Sequence, residues 1–271
     1  MDFDRVIARW PKAESAAAAW QRAAQIYAGR QDMANMAKYY EGLIQNFPKA
    51  SPAALAEAHF LLGRAAFDQG DFKSSISHMA EAKTLDPQKY GEQVNVLSVL
   101  SYHKLQDVNK LKEALETLQK ENPSAVARVP DVIPAWLGLQ AYGMKDLETA
   151  DKYMTWATQN DQLQNVKKVI WRNLAKVRLA LRKYDRALVA SNNFLKDEDQ
   201  PYRRADGMLD KASILLGLGK YADARKTAED ALALGVEGPL MASLKIVLGD
   251  ISYAEKKFDE AAKHYGVTAE L

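Results

Sequence analysis

The sequence predicts an all-α protein built from a row of antiparallel helix hairpins, and three observations support this prediction. The 271 residues include only 14 glycines and 9 prolines and are rich in Ala, Leu, Lys, Glu and Gln, which favour helices. Apolar residues recur at the three- to four-residue spacing of amphipathic helices. A helix–turn–helix pattern returns every 36 to 39 residues. We therefore predict a single solenoid over residues 1–271, rather than the one or two domains that chain length alone suggests.

The hairpin is clearest between residues 56 and 87. Apolar residues at helical spacing run through the first part, and Gly70 then suits the left-handed backbone conformation that ends a helix. A second apolar stripe runs from Phe72 to Leu85, and Pro87 stops it. The segment is therefore expected to form two antiparallel helices joined by a tight turn.

The same pattern can be placed along the rest of the chain. Hairpins are predicted to start near residues 17, 56, 92, 131, 168, 205 and 242. The mean spacing of these starts is 37.5 residues. A hairpin of this size cannot bury its apolar face alone, so its neighbours in the row are expected to supply the rest of the core.

Residues 1–16 precede the first full hairpin and match the second helix of one. The stretch FDRVIARWPKAES, which begins at Phe3, parallels YEGLIQNFPKASP, which begins at Tyr40. We predict that residues 1–16 form the second helix of an incomplete repeat or a cap. The first interpretation implies a fragment of a longer chain, and the second a native end to the array. An uncovered apolar stripe on this helix would also allow self-association.

The hairpins share a set of small and aromatic residues. Small residues let two helices approach, and aromatic residues fill the gaps between neighbouring hairpins. The residues in register are Trp20 and Trp171, Leu62-Gly63 and Leu248-Gly249, Tyr27 and Tyr102, Ala150, Ala187, Ala224 and Ala261, Tyr40 and Tyr265, and Pro48, Pro87 and Pro123. In this pattern the chain resembles the tetratricopeptide-repeat family over nearly its whole length. The resemblance implies a right-handed superhelical solenoid of about seven hairpins.

The chain departs from that pattern in two ways. Gln162, Asp199 and Val236 stand where later repeats would have a closing proline. In the fourth repeat, Trp136 lies two residues out of register. The boundaries of the fourth repeat are therefore left open.

A finer resemblance concerns the joins between hairpins. Ile-x-x-aromatic-Pro-x-Ala occurs at residues 7–13 and again at residues 44–50. These joins are similar to those of bacterial envelope repeat proteins such as the Tol-Pal accessory protein and outer-membrane assembly lipoproteins. The resemblance favours a bacterial periplasmic location over a cytoplasmic one.

Catalytic and metal chemistry are not expected from the residues. The chain has no cysteine, which excludes disulfides, thiol nucleophiles and thiolate metal sites. His59, His78, His103 and His264 do not follow a metal-ligand spacing. The glycines and lysine at 217–220 lack the flanking residues that a phosphate-binding loop requires. We therefore predict a protein that is not an enzyme, with no catalytic residues, cofactor or metal.

Nucleic acid and a membrane span are also not expected. The net charge is only +2, far from the strong basic field of a non-specific nucleic-acid binder. No stretch is apolar over the ~18 residues that a membrane helix needs. A protein or peptide partner is the remaining expectation.

In the architecture that the resemblance implies, the first helix of each hairpin lines a concave groove. The outward residues of these helices are apolar and aromatic in the middle of the array. They are followed by two basic residues, Arg172 and Lys176, which we call the basic step. The predicted partner-binding residues are Phe60, Arg64, Phe67, Val96, Leu100, His103, Leu139, Tyr142, Arg172 and Lys176. We predict that they bind an amphipathic helix or an extended peptide by its apolar side, with its acidic groups near Arg172 and Lys176. The alternative is that tight curvature buries these residues as ordinary core.

Two functions stay open at this point. The first is an interaction scaffold whose partner occupies the groove. The second is a regulatory or assembly domain cut from a larger protein, either an enzyme or an envelope-assembly factor.

Overall fold

The computed structural model describes residues 3–159 and 164–269, and every regular element in these ranges is helical. The elements are α1 Phe3–Arg9, α2 Glu14–Gly29, α3 Met33–Asn46, α4 Pro52–Asp68, α5 Phe72–Leu85, α6 Pro87–Lys104, α7 Val108–Glu121, a 3-10 helix Pro123–Arg128, α8 Val132–Gly143, α9 Leu147–Thr158, α10 Gln164–Ala180, α11 Tyr184–Lys196, α12 Pro201–Gly217, α13 Tyr221–Leu232, α14 Gly238–Ala254 and α15 Phe258–Ala269. The all-α prediction is confirmed. Gln162, one of the residues in place of a closing proline, lies outside the described residues.

The chain divides into two compact units, residues 1–129 and 130–271. In the first unit, α1 precedes the hairpins α2–α3, α4–α5 and α6–α7, and the 3-10 helix follows them. The second unit contains the hairpins α8–α9, α10–α11, α12–α13 and α14–α15. In each unit the two helices of a hairpin pack against each other, and each hairpin packs against the next.

Helix α1 packs at one edge of the first unit. Its Phe3 and Ile7 are half-buried against the cluster that also contains Tyr39. The Tyr39 hydroxyl donates a 2.6 Å hydrogen bond to Asp4 Oδ1, which raises the pKa of Tyr39 to about 12. This helix therefore shares the core of the first unit through both apolar and polar contacts.

Aspartates begin four of the second helices. At each of these N-caps the carboxylate accepts a hydrogen bond from the backbone N–H three residues later, at 3.0–3.2 Å, which satisfies a donor that the helix itself cannot. The capping residues are Asp32, Asp71, Asp107 and Asp146.

Every hairpin turn in the described ranges contains one residue with positive φ. These residues are spaced 36 to 39 positions apart, the same as the period of the sequence. They are Gln31, Gly70, Gln106, Lys145, Arg182, Gly219 and Lys256. The turn geometry is thus held constant although only two of the seven residues are glycines, the residue type that adopts it without steric cost.

Close helix contact explains the Leu-Gly pairs. A Cβ added to Gly249 would lie 2.4 Å from Tyr265 Cε1, closer than two carbon atoms can approach. A Cβ on Gly138 would likewise lie 2.7 Å from Met154 Cγ. Gly138 lies seven residues after the predicted start at 131, as Gly63 and Gly249 do after the starts at 56 and 242, although Leu137-Gly138 was not among the predicted pairs.

The turn geometry generates a stability prediction. Replacing Lys145 or Lys256 by glycine should raise the free energy of unfolding by about 0.5–1 kcal/mol, because glycine adopts positive φ without the Cβ clash. Urea denaturation followed by circular dichroism measures this change. Gly219→Ala is the matched control and should lower stability. A destabilising effect of Lys145→Gly, as for a glycine inside a helix, would contradict the prediction.

Candidate functional site

In the first unit, the first helices of two consecutive hairpins are joined through one carboxylate. Glu57 on α4 accepts hydrogen bonds from Gln21 and Gln25 on α2, at 2.9 and 2.8 Å. The hydroxyl of Tyr40, which is fully buried, donates a third at 2.9 Å. Burial first, and then the charge of Glu57, raise the pKa of Tyr40. Glu57 is thus held by three neutral donors, and its role is to connect neighbouring hairpins.

Two of the predicted partner-binding residues lie in the core of the first unit. Phe60 is 7% exposed and stacks on Tyr90 with ring centroids 4.6 Å apart. Val96 is 9% exposed. Phe60 is covered because the first residues of α6 pack over α4, so it offers a partner almost no surface.

The other predicted residues of the first unit reach solvent. Arg64 is exposed, and Leu100 and His103 are half-buried on α6. Burial, and to a lesser extent the charge of Lys104, lower the pKa of His103. Arg64 on α4, and Leu100 and His103 on α6, thus each present at least part of their side chain to solvent.

Phe67 has a structural contact as well as an exposed part. It is half-buried and meets Phe72 edge to face, with centroids 5.4 Å apart and an interplanar angle of 73°. Tyr253 and Phe258 repeat this arrangement in the last hairpin, at 5.4 Å and 68°. The aromatic residue near the end of the first helix therefore fixes the corner of the hairpin.

In the second unit the predicted basic step is paired within the protein. The Arg172 guanidinium forms an ion pair with Asp206, and Lys176 Nζ lies 3.7 Å from Asp210 Oδ2. Both acids belong to α12, the first helix of the following hairpin, and neither was among the predicted residues. Their spacing offered a signal, because each lies 34 positions after its basic partner, close to the repeat period.

Leu139 and Tyr142 lie on α8 of the second unit. Both are half-buried and pack against the cluster that contains Ala141 and Leu174. Part of each side chain therefore belongs to the core, and the remainder faces solvent.

The carboxylate of Asp210 is largely removed from solvent. Burial raises the pKa of Asp210, although the charges of Lys176 and Arg172 oppose the shift. Its Oδ2 atom is buried and accepts no hydrogen bond from the described residues. Desolvation thus outweighs the nearby cations, and the pair stabilises the junction less than its charges suggest.

A second ionic network joins hairpins in the second unit. Arg178 Nε donates to Asp151 Oδ1 at 2.8 Å, and Lys183 Nζ lies 2.9 Å from Asp151 Oδ2. Asp151 and Arg178 are 6% and 7% exposed. Burial alone would raise the pKa of Asp151, but the two cationic donors outweigh it and hold that pKa below its usual value.

The same junction occurs once more with the charges reversed. Arg225 on α13 donates to Ser252 at 3.1 Å, to Glu255 at 2.7 Å and to Glu260 at 2.5 Å. Arg225 stands 74 positions after Asp151, which is twice the repeat spacing of 37 in this part of the chain. The equivalent central position thus holds an acid with basic partners in one place and a base with acidic partners in the other.

Two histidines that the sequence left unconnected meet in the first unit. His59 Nδ1 on α4 and His78 Nδ1 on α5 are 3.0 Å apart, so one neutral ring donates and the other accepts. Burial lowers the pKa of both imidazoles, and the charge of His78 lowers that of His59 further. The carboxylates of Glu41 and Glu81 act in the opposite direction. No spacing rule finds this pair, because its members come from different helices.

Within residues 3–159 and 164–269, no group of three or more histidine or acidic side chains is arranged to hold a metal ion. None of the helices in these ranges combines the length and the apolar character that a membrane-spanning segment needs.

Comparison with protein families identifies the repeat. Residues 54–90 and 209–267 match one family model, and residues 18–50 match a second. Both models are described as tetratricopeptide repeat, and neither describes a catalytic domain. No curated protein sequence matches the chain.

Solved structures are similar in fold. A chain of the Naa15/Naa10 complex bound to HypK-THB is 15% identical with a TM-score of 0.53, over 94% of this chain and 37% of that one. This chain therefore spans little more than a third of that structure. PilF of Pseudomonas aeruginosa is 18% identical with a TM-score of 0.39, over 79% and 90% of the two chains. PilW, described as a type IV pilus biogenesis factor, is 15% identical with a TM-score of 0.42, over 78% and 90%.

The buried network generates a second stability prediction. Arg178→Met should lower the free energy of unfolding by about 3–5 kcal/mol, because it leaves the buried Asp151 with a single cationic partner. The double variant Asp151→Leu/Arg178→Met should lose less, since no buried carboxylate remains. Arg203→Met, at an exposed position, is the control for the loss of an arginine. Equal losses for Arg178→Met and Arg203→Met in urea denaturation would contradict the prediction.

The histidine pair predicts a pH dependence. The unfolded chain binds protons near the ordinary histidine pKa of 6.5, whereas the folded chain binds them only at lower pH. Stability should therefore fall as the pH drops below about 6.5. The double variant His59→Gln/His78→Gln should show a shallower fall between pH 7.5 and 5.5 when melting temperatures are compared. A wild-type slope in this variant would show that other groups control the dependence.

Proposed function

The chain is a tetratricopeptide-repeat protein, and from that premise we propose that it binds a peptide or helix of a protein partner on the first helices of its hairpins. Repeats of this kind indicate a protein–protein interaction scaffold. The partner is held by its apolar side, as in other complexes in which a helix or strand lies in a groove.

The surface of the first unit supports this proposal most directly. Arg64 is exposed and makes no ion pair with any described residue, unlike the basic residues of α10. Leu100 and His103 provide half-buried apolar and aromatic area on α6, the first helix of the next hairpin. An acidic group of the partner is therefore expected at Arg64.

The proposal assigns a different role to the basic step of the second unit. Arg172 and Lys176 are engaged by Asp206 and Asp210, so a partner would have to displace these acids to use them. We assign the pairs to the junction between hairpins. In this unit the exposed parts of Leu139 and Tyr142 are the remaining contact area for a partner.

The alternative role, as a regulatory or assembly domain of a larger protein, uses the same surface. It differs in its consequence, because partner binding would then control an activity located in another part of that protein. The full reading frame around this chain distinguishes the two roles.

Substitutions in the first unit test the proposed surface. Photocrosslinking from a benzoylphenylalanine at Leu100 identifies the partner, and calorimetry with the purified partner then gives the affinity. Arg64→Glu should weaken binding at least about tenfold, because it replaces an attraction with a repulsion at a contact that excludes water. Tyr142→Glu tests the surface of the second unit in the same assay.

Arg30→Glu is the matched control, since this residue is also exposed and the charge change is the same. Circular dichroism shows that each variant is folded. Wild-type affinity in a folded Arg64→Glu protein would exclude the proposed surface of the first unit.

A further inference from the structure

A cleft of about 620 Å³ opens in the first unit at the joins between hairpins. The start of α2, the end of α3 and the start of α4 line it. Its volume falls within the roughly 300–1,000 Å³ that ligand pockets occupy. Arg64 lies 12 positions after Pro52, about 18 Å further along α4, so the cleft is separate from the partner surface proposed above.

Two lysines from equivalent positions line this cleft. Lys12 belongs to the join Trp10–Ala13, and Lys49 to the matching join Phe47–Ala50. Because consecutive hairpins stack side by side, the repeated join places both ammonium groups at one opening. Both side chains are exposed, and neither forms an ion pair with a described residue.

The inner surface of the cleft is apolar. Leu43 is fully buried beneath it, and Ala17 and Phe47 are half-buried at its wall. A bare inorganic anion would gain nothing from these groups, whereas a ligand with an apolar body would bury them.

The charge around the cleft is positive despite one carboxylate. Glu14 is the acidic side chain among its described lining residues. The first turn of α2 also lines the cleft, and its N-cap, Ala13, provides no side-chain hydrogen bond. The backbone donors of this helix start thus lack the cap that Ser51 gives to α4. An acidic group entering the cleft would meet two lysines and the positive end of a helix.

We propose that this cleft binds an acidic peptide segment in which glutamate or aspartate alternates with a bulky apolar residue. Lys12 and Lys49 contact the carboxylates, and the apolar side chains lie against Leu43 and Phe47. The cleft is a second contact site on the scaffold, at the joins between hairpins and separate from the surface that contains Arg64.

The test uses the whole chain and a defined probe. The probe is an acetylated and amidated tetrapeptide of alternating leucine and glutamate, and binding is followed by amide chemical shifts in NMR spectra. Shifts are expected at Ala17, Ala18 and Ser51. Glutamine in place of glutamate, or serine in place of leucine, should weaken binding at least about threefold, which corresponds to the loss of exposed charge contacts or of apolar burial.

Variants of the protein separate this site from the proposed groove. Lys12→Gln/Lys49→Gln should weaken binding at least about threefold, and Glu14→Gln should strengthen it. Lys73→Gln/Lys120→Gln, at exposed positions in the same unit, and Arg64→Glu should leave the affinity unchanged. The proposal is wrong if the probe fails to bind at millimolar concentration, if its glutamine form binds equally well, or if the Lys12/Lys49 variant keeps wild-type affinity. An effect of Arg64→Glu equal to that of the lysine pair would place the peptide in the groove instead.

Discussion

Within each unit, the packing of one hairpin against the next is the interaction on which the rest of the structure depends. One hairpin has too little apolar surface to form a core alone, so its exposed face must be covered by a neighbour. Close approach requires small residues such as Gly138 and Gly249 at the contact, and a constant turn keeps successive helices in register. Both requirements recur with the period of the sequence. The repeat seen in the sequence therefore corresponds to the repeated hairpins of the structure.

Different chemistry occupies equivalent positions at successive junctions. Glu57 receives neutral donors, Phe60 stacks on Tyr90, and Arg172 pairs with Asp206. The hairpins share one backbone geometry, so geometry alone would allow them to pair in several orders. An aromatic stack cannot replace an ion pair without leaving a charge unpaired, which costs several kcal/mol when the charge is buried, on the order of 3–5. The differences therefore favour one order of neighbours over the others.

The sequence was sufficient for the helices and the hairpin turns, because these depend on spacing within about 34 residues. It was not sufficient for contacts between hairpins. The pairing of Arg172 with Asp206, and of His59 with His78, depends on which faces two separate helices turn towards each other. For the same reason, the sequence could not show which predicted binding residues are exposed. Phe60 and Arg64 are both at predicted outward positions of α4, but the next helix covers Phe60 and leaves Arg64 exposed.

The charge of the whole chain gives a poor guide to recognition in such an array. The net value of +2 results from 37 basic and 35 acidic residues, and several of the buried or half-buried ones form ion pairs across junctions. Those charges connect neighbouring hairpins, so a ligand could bind them only by breaking ion pairs that stabilise the fold. Arg64 on α4, and Lys12 with Lys49 at the joins, are among the exposed cations of the first unit that form no ion pair with a described residue. Both proposed sites therefore rest on unpaired charges together with partly buried apolar groups, and not on the charge density of the chain.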